Sequence, residues 1–335
     1  MNGVARRVID RFADRVGCLG VAITSPGLPL DVAWTPAGEI EPAFLAYSIT
    51  KTFTAALFLR WLDEGVVSLD APLAGWRPDV PDAQRISLRQ LLTHTAGVPD
   101  YGPLPQYHEA VRTSPTRPWS RERFAAETFA RGLQFEPGCG WAYSNPGYML
   151  LTEVAESIGG SRYATLVADR IARPLGLART FVPESICDLA TLAPARSRLV
   201  SADGGFVDVR ERYHPGWVSH GVIASTPSDI ARFFDALFGD RLVSRRALDE
   251  MTRLVKVADS GDREWLTPAY GLGVMGSLTP SPWGALFGHN GGGPGYAASA
   301  FHARDLGVTV CAMGALEESG VEAEAIVQLA LDLSP

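Results

Sequence analysis

The chain has 335 residues, 46% of them hydrophobic and 20% charged, and carries a formal net charge of −7. This is apolar material for one large domain or two closely joined ones, and the negative balance argues against nucleic acid or an anionic membrane as a partner. No run approaches the ~18 apolar residues of a membrane span, and the first ten residues carry charge without an apolar stretch or a small-residue cleavage site, so no leader is expected and a cytoplasmic location is.

Val4, Val8, Phe12 and Val16 recur every four residues and predict an opening amphipathic helix. Cys18 to Ile23 reads as a strand broken at Pro26-Gly27, and a second short strand is expected around Val32-Ala33-Trp34. A long helix follows, with Phe53, Leu57 and Trp61 on one face, Ser48 at its first turn and Gly65 at its end. Further helices are expected where a cap precedes an apolar pattern: Ser87 before Leu88 to Thr93, Ser120 before Arg121 to Ala130, Pro146 opening a helix that ends at Gly159-Gly160, Ser161 before a helix ending before Pro174, Thr226-Pro227 before Ser228 to Phe238, and Ser244 before Arg245 to Leu254. From Tyr270 the pattern turns to strands, at Leu272 to Met275, Ala285 to Phe287, Ala297 to Phe301 and Val308 to Ala312, and Val321 to Leu333 closes the chain as a helix.

The architecture that fits is α+β: one antiparallel sheet domain built from residues 1–45 and 262–335, and a mostly helical domain over residues 46–261. Two irregular stretches, Pro99 to Trp119 and Ala202 to His220, are long enough to be functional loops, with Trp119, Tyr213 and Trp217 as candidate apolar cover and a stacking surface for a pocket.

Residue usage points to chemistry. Only two lysines, Lys51 and Lys256, stand against 28 arginines, so wherever a bare positive charge suffices this chain uses Arg. Lys can give up its proton when its pKa is lowered, whereas Arg cannot. Lys51 lies one helical turn after Ser48, in Ser48-Ile49-Thr50-Lys51, which is the spacing of a nucleophile and its proton acceptor. Asparagine is equally sparse: beyond Asn2, the chain holds Asn145 in Tyr143-Ser144-Asn145 and Asn290 in His289-Asn290-Gly291.

With Ser-x-x-Lys early, Tyr-x-Asn in mid-chain and His-x-Gly near the end, the chain resembles the serine β-lactamase and penicillin-binding superfamily. Its class C-like branch is the nearest, with class C β-lactamases, D-alanyl-D-alanine carboxypeptidases, family VIII esterases and related acyltransferases. Leu91-Leu92-Thr93-His94-Thr95-Ala96-Gly97, Phe135-Glu136-Pro137-Gly138 and Tyr270-Gly271-Leu272-Gly273 are also similar to that branch. The resemblance implies a β-lactamase-like fold, Ser48 as nucleophile, and Lys51 and Tyr143 as proton handlers, with the choice of base between them open. It further implies Asn145 holding Lys51 and touching substrate, and an oxyanion hole from the N–H groups of Ser48 and Gly292, with His289, Asn290 and Gly291 lining the substrate.

Where β-lactamases carry Lys-Thr-Gly, this chain has His289-Asn290-Gly291. An imidazole mostly neutral at pH 7 weakens recognition of a carboxylate and favours neutral esters or amides. The expectation is therefore a serine acyl-transfer enzyme that hydrolyses a small carboxylic ester. The alternatives are transfer of the acyl group to an amine or alcohol, amidase, peptidase or weak β-lactamase action, and an inactive binding module of the same fold. No cofactor is expected. The histidines His94, His108, His214, His220, His289 and His302 form no H-E-x-x-H pattern, and Cys18, Cys139, Cys187 and Cys311 form no C-x-x-C, so neither a metal centre nor a disulfide framework is expected. A G-x-S-x-G elbow is missing, which disfavours an α/β-hydrolase. Oligomeric state is left open.

Overall fold

A computed structural model of the chain describes residues 3–257 and 267–334. In chain order the strands are β1 (Leu19–Thr24), β2 (Asp31–Thr35), β3 (Phe44–Leu45), β4 (Arg196–Ser197), β5 (Val207–Asp208), β6 (Ala224–Ser225), β7 (Val255–Lys256), β8 (Pro268–Tyr270), β9 (Met275–Ser277), β10 (Leu286–Gly292), β11 (Ala297–Ala303) and β12 (Val308–Gly314). Eight of them form one antiparallel sheet in the order β2-β1-β12-β11-β10-β9-β8-β7, so the two chain ends meet where β1 pairs with β12, from Leu19 opposite Gly314 to Thr24 opposite Thr309. The short pairs β3–β6 and β4–β5 stand apart from it.

The helices are α1 (Val4–Phe12), α2 (Thr50–Asp63), α3 (Leu88–Leu92), α4 (Pro105–Thr113), α5 (Arg121–Phe129), α6 (Asn145–Gly159), α7 (Tyr163–Val167), α8 (Val209–Arg212), α9 (Pro227–Phe238), α10 (Arg245–Met251) and α11 (Ala323–Leu333). Helices α1 and α11 cover one face of the sheet and α9 the other. The period of two along β12 shows why both faces must be covered: Val310 and Ala312 join the apolar cluster under α1 and α11, while Cys311 and Met313 join the larger core on the opposite side. The remaining helices build that larger core, with α2 at its centre. Every residue of α2 from Thr50 to Leu59 is buried, the mark of a core helix. Phe53 of α2 stacks on Phe233 of α9 with ring centroids 3.7 Å apart, which ties the central helix to the layer on the sheet. Helix α9 thus belongs to the sheet's own cover although its residues fall within the segment 46–261; the 261/262 boundary itself lies outside the described residues. No helix among the described residues is long and apolar enough to cross a membrane.

Capping chemistry agrees with the sequence at several helix starts. Ser87 and Gln90 form a reciprocal capping box on α3, Thr226 accepts from the Asp229 N–H on α9, and left-handed Gly160 ends α6. Four expectations are corrected. Ser161 does not cap α7: the helix starts after Arg162, and Glu156 of α6 accepts the Tyr163 N–H instead. The apolar residues Leu272 and Val274 are not strand but the buried turn between β8 and β9. Within Pro99 to Trp119 the chain forms α4, because Pro105 occupies the first helical turn, where its missing N–H costs nothing. Finally, Trp119, Tyr213 and Trp217 are 5%, 1% and 0% exposed, so they are packed inside rather than offered as a stacking surface.

Candidate active site

Ser48 sits in a single 3-10 turn, Tyr47–Ile49, that leads into α2. Tyr47 holds a positive φ of 44°, a sparsely populated conformation for a residue with a side chain. The turn is held from two sides. The Ala46 N–H donates to Ile223 O at 2.8 Å, and the buried Tyr47 phenol donates to Pro294 O at 2.7 Å, just past β10. Ser48 itself is half-buried and so reachable from solvent.

Lys51, at 0% exposure, brings its amine to 3.3 Å from Ser48 Oγ, 2.8 Å from Asn145 Oδ1 and 2.9 Å from His220 Nε2. Burial lowers its pKa from 10.5 to about 7, against a smaller upward pull from Asp100. A neutral amine has two N–H bonds and one lone pair. When His220 Nε2 is the unprotonated ring nitrogen, the N–H bonds go to Asn145 Oδ1 and His220 Nε2 and the lone pair is left for Ser48 Oγ. Tyr143 donates its phenol hydrogen to the same Ser48 oxygen at 2.8 Å, and burial pushes that phenol well above its usual pKa. The Asn145 amide is oriented from behind, since its backbone N–H and Nδ2 both donate to Asp100 Oδ1, at 3.0 and 3.2 Å.

Three buried histidines surround this group, and burial followed by the Lys51 charge depresses all three. His94 accepts the Ser144 N–H on Nδ1 at 3.1 Å and packs its ring 4.3 Å from Tyr143 and 4.7 Å from Tyr270. His220 contacts Lys51 through Nε2, while its buried Nδ1 has no partner. His289 is lowered to about 3. Its Nδ1 is 2.5 Å from Asn290 O, which can only accept, so Nε2 accepts from the Tyr270 hydroxyl at 2.9 Å.

Strand β10 completes the site. Strand β9 pairs with it only at Phe287 and Gly288, leaving residues 289–292 without that neighbour. Here β10 runs against the Ser48 turn: a Cβ on Gly291 would lie 2.1 Å from Ala46 O and 3.2 Å from Ser48 N, whereas Gly292 is exposed with open space beside it.

Of the residues expected from sequence, Ser48, Lys51, Tyr143 and Asn145 thus meet in one hydrogen-bonded cluster, with Gly291 and Gly292 alongside. Direct substrate contact by His289 is corrected: it is 2% exposed and both ring nitrogens are engaged. Asn290 stands on the other face of β10, where its Nδ2 donates to Glu324 Oε2 of α11 at 3.1 Å. His220 and Asp100 were missed. The rarity argument that singled out Lys51 applies equally to a chain with six histidines, but nothing local marks either residue. Both arrive on the two irregular stretches, which are stitched together by the His214 N–H and the Trp217 Nε1–H on Pro115 O, each at 2.9 Å. Among the described residues no group of three or more His, Cys, Asp or Glu is placed to hold a metal.

A family model described as Beta-lactamase matches residues 6–332. A penicillin-binding protein of Bacillus subtilis is 28% identical over 306 residues, which is 84% of this chain and 63% of that protein, so the chain spans less than two thirds of its length. Esterase EstB of Burkholderia gladioli is 28% identical over 184 residues, 51% of this chain and 45% of the esterase. Among solved structures, a D-stereospecific amidohydrolase from Streptomyces sp. matches with a TM-score of 0.85 at 27% identity, covering 100% of both chains.

Proposed function

We propose that this chain, which belongs to the beta-lactamase family and is one of its serine hydrolases, cleaves small, uncharged carboxylic esters or amides through an acyl-Ser48 intermediate. The observation that carries this reading is the Lys51 amine, with a pKa brought down to about 7, held between Asn145, His220 and Ser48. In acylation Lys51 takes the Ser48 proton and Ser48 Oγ attacks the carbonyl carbon. The oxyanion forms toward the N–H groups of Ser48 and Gly292. Tyr143 gives its proton to the departing oxygen or nitrogen and recovers one from Lys51, which returns to its neutral state. Water then attacks the acyl carbon, passes its proton through the same pair, and Ser48 leaves with a proton.

No fixed cation stands at His289 to hold a carboxylate, which favours uncharged esters and amides alike, and we take an ester as the first choice. The likeness to an esterase supports it. The likeness to the Streptomyces amidohydrolase supports an amide as the second substrate class. A fluorophosphonate probe tests the intermediate. It should add one adduct to the intact mass, mapped to the Ser48 peptide, and none to Ser48→Ala; a persistent adduct in the variant would refute the assignment.

A further inference from the structure

On the Asn290 face of β10 lies a cavity of about 370 Å3, within the range of small-molecule sites. Tyr143, whose hydroxyl donates to Ser48 Oγ, is one of its walls, while Ser48 itself does not line it. Trp141, Tyr270, Trp283 and Phe301 add aromatic surface. Asn290, Glu324, Gln328, Ser277 and Ser281 supply its polar side chains. Among the described lining residues Glu324 is the only Asp, Glu, Lys, Arg or His. Asn290 Nδ2 is committed to Glu324, but its Oδ1 is buried and has no hydrogen-bond partner, an acceptor left open.

We infer that this cavity receives the leaving group of the acylation step, and that it takes a bulky apolar alcohol or amine bearing no negative charge. The inference rests on the acyl-Ser48 reading above. In that reading the departing atom collects its proton from Tyr143, so the group attached to it leaves on the Tyr143 side, into this cavity. A carboxylate there would face Glu324 with no cation among the described lining residues to offset it, and would lose its water to aromatic walls. A neutral group meets no such penalty, and a cationic one is drawn both to Glu324 and to the aromatic faces. An N–H or O–H on the leaving group can fill the open Asn290 acceptor.

Three acetate esters with a common acyl group test this: those of 3-tert-butylphenol, of 3-hydroxyphenyltrimethylammonium and of 3-hydroxybenzoate. Each kcat/KM is divided by the ester's own alkaline hydrolysis rate. The neutral and cationic esters should exceed the anionic one by about tenfold or more, and in Glu324→Gln the gap should shrink to within about threefold, since the like-charge contact is gone. Release of acetate from acetyl-Ser48, which all three esters share, should not depend on which was used. Equal rates for the anionic and neutral esters, or an undiminished gap in Glu324→Gln, would overturn the inference. Mass spectrometry separates the two levels: Ser48 acetylated without charge discrimination removes this inference alone, and no acetylation of Ser48 by any of the three removes the acyl-Ser48 reading with it.

Discussion

At the scale of single residues, the site is a problem in where one proton resides. Every basic group around Lys51 is held neutral by burial, so the amine is the one that changes charge near pH 7. Acylation needs it neutral. The rate of Ser48 acylation should therefore rise through about pH 7 and level off above it, and His289, lowered to about 3, should add no limb above pH 5. Lys51→Arg keeps the charge and loses the basicity, so its acylation rate should fall by roughly 10² or more. His220 acts through Lys51 as a positioning residue. In the tautomer with Nε2 unprotonated, it accepts an N–H that would otherwise compete for the direction of the lone pair. His220→Leu should lower kcat by roughly tenfold with little change in KM and shift the pH limb, and His220→Gln, which restores an acceptor, should recover part of the loss. Stopped-flow acylation across pH gives both answers; a profile unmoved by either His220 variant would reduce the residue to packing.

At the scale of elements, Ser48 and Lys51 are each clipped to the sheet from a different place. The Ser48 turn lies against Gly291 of β10 with no room for a methyl group. Gly291→Ala would drive a Cβ into Ala46 O, a backbone atom that cannot swing aside. It should leave far-ultraviolet circular dichroism near native while Ser48 acylation falls by about 10², the cost of an ångström-scale displacement of a reacting atom. Lys51 is clipped by the β8–β9 turn, where Gly273 accepts from Thr52 Oγ1 at 2.7 Å and donates to Leu92 O at 3.2 Å. Sequence reasoning saw the pieces of this unequally. Ser-x-x-Lys and Tyr-x-Asn are legible because helix spacing and capping place them locally. The turn at 271–274 is not, because Leu272 and Val274 are buried as a strand's residues would be, and burial rather than pairing is what apolar letters report. Asp100 and His220 are 120 residues apart in sequence and reach the cluster, one through Asn145 and the other through Lys51, only by tertiary packing, so no spacing announces them.

At the scale of the whole molecule, the same buried imidazoles set an acid limit. His94, His220 and His289 are depressed in the folded chain and would return to about 6.5 on unfolding. At these three positions the unfolded chain thus binds more protons between about pH 3, the folded value of His289, and pH 6.5, a contribution that makes stability rise with pH across that window. The denaturant midpoint should fall as pH drops from 6.5 to 4, and His289→Gln should flatten that slope; urea titrations at stepped pH measure both. Fold class and the antiparallel sheet were readable from the change of period after Tyr270, because a sheet covered on both faces leaves strong apolar runs. The placement of α9 on the sheet was not, since an amphipathic helix does not say which surface it covers.

The stitching of the two irregular stretches at Pro115 has a consequence for remodelling. Residues 99–119 carry Asp100 and residues 202–220 carry His220, and each stretch supports the other's backbone. A loop transplanted alone from a relative would keep its own aromatic packing and lose the hydrogen bonds that aim its partner at Lys51. The transferable module is the pair, and any recombination of substrate preference among such chains has to cross over on both sides of it together.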